Sequence, residues 1–180
     1  MSRPERRNVT SVGGLVVRDD AVLLVRMSYG PSRGRLMLPG GLLDPGETLD
    51  VAIAREVLEE TGVVADPVGI IGIRTRYDGP ATDNYVLWLL EHREGEPRAD
   101  GHENEEAGYF TLAQLDARDD VTYLAHYMAR QVLNHSVAPM RRATDYEYLM
   151  PGSTEDSWRL FLARGAEGFG AQVEPFGKVE

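Results

Sequence analysis

Apolar and polar positions alternate along the chain in short blocks, and the blocks predict its elements. Two apolar runs, Val12 to Arg18 and Ala21 to Arg26, flank the acidic pair Asp19-Asp20, the pattern of a β-hairpin. Ser28 to Arg35 contains Gly30, Pro31 and Gly34 and reads as a loop. A short strand, Leu36-Met37-Leu38, is stopped by Pro39-Gly40-Gly41, and Asp44-Pro45-Gly46 supplies turn chemistry inside a second loop, Leu42 to Glu47. Thr48 to Thr61 is predicted to be helical, with Thr48 at the N-cap and Gly62 where a helix-ending glycine belongs. Val63-Val64, Val68 to Ile73 and Tyr85 to Leu90 are rich in strand formers, and Trp88 is expected in the core. Glu91 to Glu106 is polar and acidic, with Gly95, Pro97 and Gly101, and reads as a long loop. Tyr109-Phe110 follows as a short strand.

A second helix is expected over Asp120 to Asn134, because Val121, Leu124, Ala125, Met128 and Val132 share one face. Beyond His135 periodicity weakens. Thr154 to Ala163, with Trp158, Leu160, Phe161 and Leu162, suggests a short helix, and Gly165 to Glu180 is glycine-rich. No internal repeat is present. Strands, helix, strands, helix in that order predict an α+β fold, an αβα sandwich on a mixed sheet. Residues 1–135 form the expected domain, and 136–180 an extension packed on it.

Composition narrows the function. The chain has 180 residues and a formal charge of −10, which disfavours broad nucleic-acid binding. It has no cysteine, so disulfides, thiolate metal sites and cysteine nucleophiles are excluded together. No stretch approaches the ~20 apolar residues needed to span a bilayer. The basic start MSRPERRNVT is not followed by an apolar signal region, so a cytoplasmic location is expected. The four histidines, at 92, 102, 126 and 135, form no metal spacing.

The chemistry concentrates in Gly41 to Val63. Glu56, Glu59 and Glu60 stand at i, i+3 and i+4 and crowd one helix face, with Ala54, Val57, Leu58 and Thr61 expected on the opposite, core side. Such like charges repel and call for a positive partner. Arg55 is one candidate, leaning toward Glu59; a divalent cation is the stronger. All-oxygen ligands select a hard ion such as Mg²⁺ or Mn²⁺, which usually works with substrate phosphates. Pro39-Gly40-Gly41 and Gly46 allow close backbone approach, and Glu47 stands just before the helix, where a carboxylate is favoured.

This segment resembles the Nudix hydrolase signature, G-x5-E-x7-R-E-U-x-E-E-x-G-U. Gly41, Glu47, Arg55, Glu56, Val57, Glu59, Glu60, Gly62 and Val63 fill its specified positions without a gap. The resemblance implies an αβα sandwich over roughly residues 9 to 135. It implies metal-assisted hydrolysis of the diphosphate in a nucleoside diphosphate-linked small molecule. Glu56, Glu59 and Glu60 would be metal ligands, joined by the backbone carbonyl of Gly40 or Gly41. Arg55 would orient Glu59, with Glu47, Gly41 and Gly62 in support. A further glutamate from a later loop would complete the site: Glu103 by its offset from Tyr109, with Glu106 as substitute. The general base is expected to be Glu103 or Glu56.

Specificity is less legible. Arg26, Arg33 and Arg35 before the signature, and Arg74 and Arg76 after it, offer planar donor forks to phosphates. Tyr77 and Pro80 lie near a position that tracks substrate class in some relatives. ADP-ribose or nucleotide sugars, dinucleoside polyphosphates and nucleoside triphosphates all stay open as substrates. A catalytically weak nucleotide-sensing or regulatory module is the alternative, set against an intact signature. A related isomerase chemistry needs a cysteine that this chain lacks. The extension after His135 is expected to cover a sheet edge, contribute to a homodimer or shape the substrate pocket.

Overall fold

The computed structural model of the protein describes residues 7–78, 81–144 and 159–163. The hairpin pairs β1 (Arg7–Arg18) with β2 (Ala21–Met27), Asp19 turning with φ of 53°. After β3 (Leu36–Met37) and α1 (Leu49–Thr61) comes a long antiparallel pair, β4 (Val64–Asp78) and β5 (Ala81–Glu94). β6 (Asn104–Thr111) leads through α2 (Leu112–Asp116) to α3 (Tyr123–Leu133), and β7 (Arg141–Arg142) pairs with β8 (Phe161–Leu162).

The main sheet runs β3-β2-β1-β5-β4, with β6 also paired to β2. β1 and β5 are parallel and the other pairs antiparallel, so the sheet is mixed. Alternation along the strands sends side chains to two cores. Val12, Val16, Leu23, Val86, Trp88 and Leu90 meet Ile53 and Val57 of α1. Leu15, Val22, Leu24 and Leu87 meet Ala125, Met128, Ala129 and Val132 of α3. A helix thus covers each face, as the αβα expectation has it.

Several boundaries differ from the sequence reading. β4 and β5 run well beyond their apolar centres, because their outer ends are held by polar cross-strand pairs such as Arg74 with Asp83 at 2.7 Å. The supposed loop from Glu91 to Glu106 shrinks to residues 95–103, since β5 continues to Glu94 and β6 begins at Asn104. Thr48 occupies the N-cap position, yet its hydroxyl bonds to the Asp50 carboxylate and caps no amide. Gly62 does end the helix, at φ of 69° with its amide on the Leu58 carbonyl. The short helix expected over Thr154 to Ala163 is corrected within residues 159–163, where Phe161–Leu162 is a strand; its apolar side chains are recruited by a neighbouring strand and by Trp88. The rest of that segment, the stretch from Gly165 and Pro80 lie outside the described residues. No helix among the described residues is long and apolar enough to cross a membrane.

Candidate active site

Arg55 is the hub of the helix that carries the signature. Its Nε and one terminal nitrogen donate to the two carboxylate oxygens of Glu47 at 2.8 and 2.9 Å, a bidentate pair from loop to helix. Its other terminal nitrogen donates to Glu56 at 2.9 Å and to Glu59 at 3.0 Å. One guanidinium thus holds three carboxylates in fixed directions. Hydrogen bonding to Arg55 lowers the Glu47 pKa below its usual range.

Glu60 departs from the helical-wheel expectation. Its residue is only 4% exposed, and it lies on the buried stripe with Ile53, Val57 and Thr61, whereas Leu58, expected in the core, is 49% exposed. The charged and apolar faces meet at position 60, and the sheet side claims it. Glu60 is not left bare: its Oε2 accepts the Gly40 amide at 2.9 Å. Burial pushes its pKa up to about 8; the Gly40 amide opposes this, while Glu56, Glu103 and Asp100 add to it. Glu56 is also raised, first by burial and against the pull of Arg55.

The two glycines before the helix are required by space. Gly40 has φ of 148°, and a Cβ there would lie 2.1 Å from the Val12 carbonyl oxygen. A Cβ on Gly41 would lie 2.5 Å from Glu56 Oε1. The missing side chain at 41 is therefore the space that the Glu56 carboxylate uses.

Glu103 is brought to the same place by an anchored turn. The Asp100 carboxylate accepts the amides of His102, Glu103 and Asn104 at 2.8, 3.0 and 3.0 Å. The Asn104 side chain, itself buried, donates to the Glu60 carbonyl at 2.8 Å and so ties this turn to the end of α1. Tyr29 approaches from the β2–β3 loop, its hydroxyl 3.3 Å from Glu103 Oε2. Burial, then the charge and hydrogen bond of Glu103 and the charges of Glu60 and Glu56, push the pKa of that hydroxyl up. Glu106, the substitute for Glu103, is engaged elsewhere, with Arg26 at 2.7 Å.

The outlying residues divide. Arg26 spends its donors on Glu106, Asp120 and the Gly34 carbonyl, tying β2 to β6 and to the segment that precedes α3. Arg35 is exposed, lining a surface pocket with Asp116, Arg118 and Tyr123. Arg74 and Arg76 reach Asp83 at 2.7 and 3.6 Å, and Tyr77 is 78% exposed on the same hairpin. Arg74 also stands 5.4 Å over the Tyr85 ring, whose buried hydroxyl feels Glu60 and Glu56 as well as Arg74. Of the arginines and tyrosine expected to meet substrate, Arg74 is the one that stands over a ring whose hydroxyl lies in the field of these carboxylates.

Asp100, Asn104, Tyr29 and Tyr85 escaped the sequence reading. Asp100-Gly101 carries a turn signature that could have marked the anchored loop; the other three have no local signal. Among the described residues no three acidic or histidine side chains already converge as a cation shell, because Arg55 and the Gly40 amide hold the glutamates. The donor chemistry suits a hard divalent ion nonetheless: the donors are carboxylate oxygens, that of Glu60 is buried and disfavoured as an anion, and the missing side chain at Gly41 gives the Glu56 carboxylate its place.

Comparison with known proteins identifies the family and the fold. The sequence matches the NUDIX domain over residues 7–131. It is 32% identical over 110 residues to an ADP-ribose pyrophosphatase of Methanocaldococcus jannaschii, covering 58% of this chain and 63% of the relative. It is 33% identical over 88 residues to the 8-oxo-dGTP diphosphatase of Escherichia coli, covering 47% and 64%. The chain thus spans somewhat less than two thirds of each relative's length. The fold matches the crystal structure of a MutT NUDIX hydrolase from Burkholderia pseudomallei with a TM-score of 0.62 and 26% identity, over 71% of this chain and 99% of that one. A NUDIX hydrolase from Nitrosomonas europaea gives 0.66 at 24% identity, over 82% and 100%, which speaks to the fold alone. With the family domain matched over most of its length, the chain belongs to the NUDIX family.

Proposed function

We propose that the protein is a pyrophosphohydrolase that cleaves the diphosphate of a nucleoside diphosphate-linked small molecule with Mg²⁺ or Mn²⁺. NUDIX hydrolases generally use divalent metals. The observation that carries the reading is Glu60: a buried carboxylate in the field of Glu56 and Glu103, held by the Gly40 amide and outside the reach of the Arg55 guanidinium that Glu56 and Glu59 share. A divalent cation relieves that repulsion, and its Lewis acidity, when bound, polarises a phosphoryl oxygen or lowers the pKa of a water.

Glu56, Glu59 and Glu60, with the Gly40 carbonyl, would hold the ion, and Glu103 stands beside them as the base. Arg55 bridges Glu56 and Glu59 through one nitrogen and aims both, and Glu47 steadies Arg55. Glu103 takes the proton of the attacking water as the new oxygen–phosphorus bond forms, and the bridging oxygen leaves with the other phosphoryl group. Arg74, with Arg76, Arg35 and Tyr77 as further candidates, receives substrate charge and base. The relatives named for ADP-ribose and for an oxidised nucleotide support a nucleotide substrate class and leave the leaving moiety open. A panel of ADP-ribose, nucleotide sugars, dinucleoside polyphosphates and oxidised nucleoside triphosphates, with products identified by mass, tests the reading. Hydrolysis that stops on chelation and returns with Mg²⁺ or Mn²⁺ is expected. No turnover of any member, or undiminished turnover in excess chelator, overturns it.

A further inference from the structure

The β2–β3 loop does more than join two strands. β2 pairs with β6 in regular register up to Arg26 opposite Glu106, then shifts so that Met27 faces Asn104. Such an irregularity re-aims the chain that follows it. Here it turns Ser28 and Tyr29 onto the turn that presents Glu103. The Ser28 amide and hydroxyl both donate to the Glu103 carbonyl, at 3.0 and 2.9 Å, and the hydroxyl also lies 2.7 Å from the His102 carbonyl. The backbone of Glu103 is thereby clamped from two sides, by Ser28 and by Asp100.

The Glu103 side chain has a single hydrogen-bond partner among the described residues, the Tyr29 hydroxyl on Oε2, and no ion pair. The Tyr29 ring is 53% exposed, so core packing does not explain its place. A phenol is a neutral donor. It fixes a carboxylate's direction through one oxygen without cancelling its charge, and it leaves the other oxygen free. An arginine in its place would hold both oxygens in a fork, as Arg55 holds Glu47, and would depress the basicity that proton abstraction needs.

We propose that Tyr29 is a positioning residue that acts through Glu103, its hydroxyl holding one carboxylate oxygen so that the other faces the attacking water. This rests on the reading of Glu103 as the base. Tyr29→Phe should lower kcat by roughly tenfold or somewhat more with little change in KM, the size expected for one bond to a charged group that matters chiefly in the transition state.

The deciding experiment is a double-mutant cycle of Tyr29→Phe with Glu103→Gln, read in two ways. Kinetically, the Tyr29→Phe loss should be present when Glu103 is intact and vanish in the Glu103→Gln background, because residues acting as a unit are non-additive. In metal-free protein, carboxyl carbon NMR should show the Glu103 resonance, identified by its disappearance in Glu103→Gln, move in Tyr29→Phe while the Glu105 resonance stays. An equal kinetic loss in both backgrounds, or an unmoved Glu103 resonance, overturns the proposal. If no substrate is turned over, the functional reading falls, and the NMR result still decides whether Tyr29 holds Glu103.

Discussion

Arg55 carries more interactions than any other side chain in the site, and its shape is what they need. Lysine keeps the charge but has no planar fork, so Arg55→Lys cannot satisfy Glu47 with two parallel bonds and still reach Glu56 and Glu59. We expect a stability loss of about 1–2 kcal/mol, since several partly buried charged bonds weaken together. Activity should fall at least tenfold, because Glu56 and Glu59 lose their common anchor. Chemical denaturation and initial rates, measured on the same preparation, check both parts. Unchanged rates would mean that the carboxylates find their positions without Arg55.

Glu60 gives a signature in pH. Its folded pKa, about 8, lies above the ordinary value of 4.5. The folded state therefore binds the proton more tightly than the unfolded chain. The associated stability is fully present below about pH 4.5 and is lost as pH rises through about 8. Metal-free protein should melt at progressively lower temperature from pH 5 to pH 9, with a stability loss on the order of a few kcal/mol across the range. The carboxylates with lowered pKa, such as Glu47 and Asp100, act in the opposite sense but below this window. Glu60→Gln should flatten the slope, and Mg²⁺ should recover most of the loss at high pH. A melting temperature independent of pH between 5 and 9 in chelator would show that burial does not disfavour the Glu60 anion.

At the scale of elements, the loop before α1 and the helix form one device, and its two glycines fail differently when changed. Gly40→Ala drives a Cβ into the backbone of β1, where nothing can yield. Gly41→Ala meets only the far end of the Glu56 side chain, which can swing away. Gly40→Ala should therefore lose several kcal/mol of stability or fail to fold, as strained and overpacked sites do. Gly41→Ala should stay close to wild type in stability and lose activity by displacing Glu56. Thermal melts and specific activity of the soluble fractions separate the two. Equal behaviour would refute the distinct roles assigned to these neighbours.

Much of this device is legible in the sequence, for physical reasons. The spacing of Glu47, Arg55, Glu56, Glu59 and Glu60 is local, and helical geometry turns local spacing directly into a surface. The helix end at Gly62 is likewise a local backbone requirement. What escapes is everything set by contacts distant in sequence. Whether Glu60 faces water or the sheet depends on how α1 rolls against β1, β4 and β6, which no helical wheel contains. Asn104 reads as one polar residue in an acidic run until the fold brings its amide to the carbonyl of Glu60. The polar ends of β4 and β5 look like loop because each strand's polarity is balanced only by its partner.

At the scale of the whole molecule, the strand at the sheet's outer edge sets the remaining problem. β4 is 15 residues long and, among the described residues, has no further main strand beside it. An open edge of that length invites pairing with another chain. Bulges around Pro67 and Ile70 break its regularity, and Met140 then closes part of it, exchanging hydrogen bonds with Ile70 at 3.0 and 2.8 Å. Farther on, Phe161 meets the buried Trp88 ring edge to face at 4.9 Å, and Arg159 reaches Asp50 in the first turn of α1 at 3.3 Å. The segment after His135 thus binds the edge strand, the core and the start of the signature helix together, and we infer that it belongs to the same folding unit as residues 1–135. Phe161→Ala should cost about 1–3 kcal/mol, less than a fully buried phenylalanine because Phe161 keeps some exposure. Its turnover well below the melting temperature should stay near wild type, because Glu56, Glu60 and Glu103 keep their partners. Truncation after His135 should be worse: it uncovers β4 and Trp88, so the protein should melt earlier and associate as concentration rises. Urea titration and light scattering over a concentration series measure both. A truncated chain as stable and monodisperse as the full one would make the segment an appendage, and the edge of β4 would have to be protected by its bulges alone.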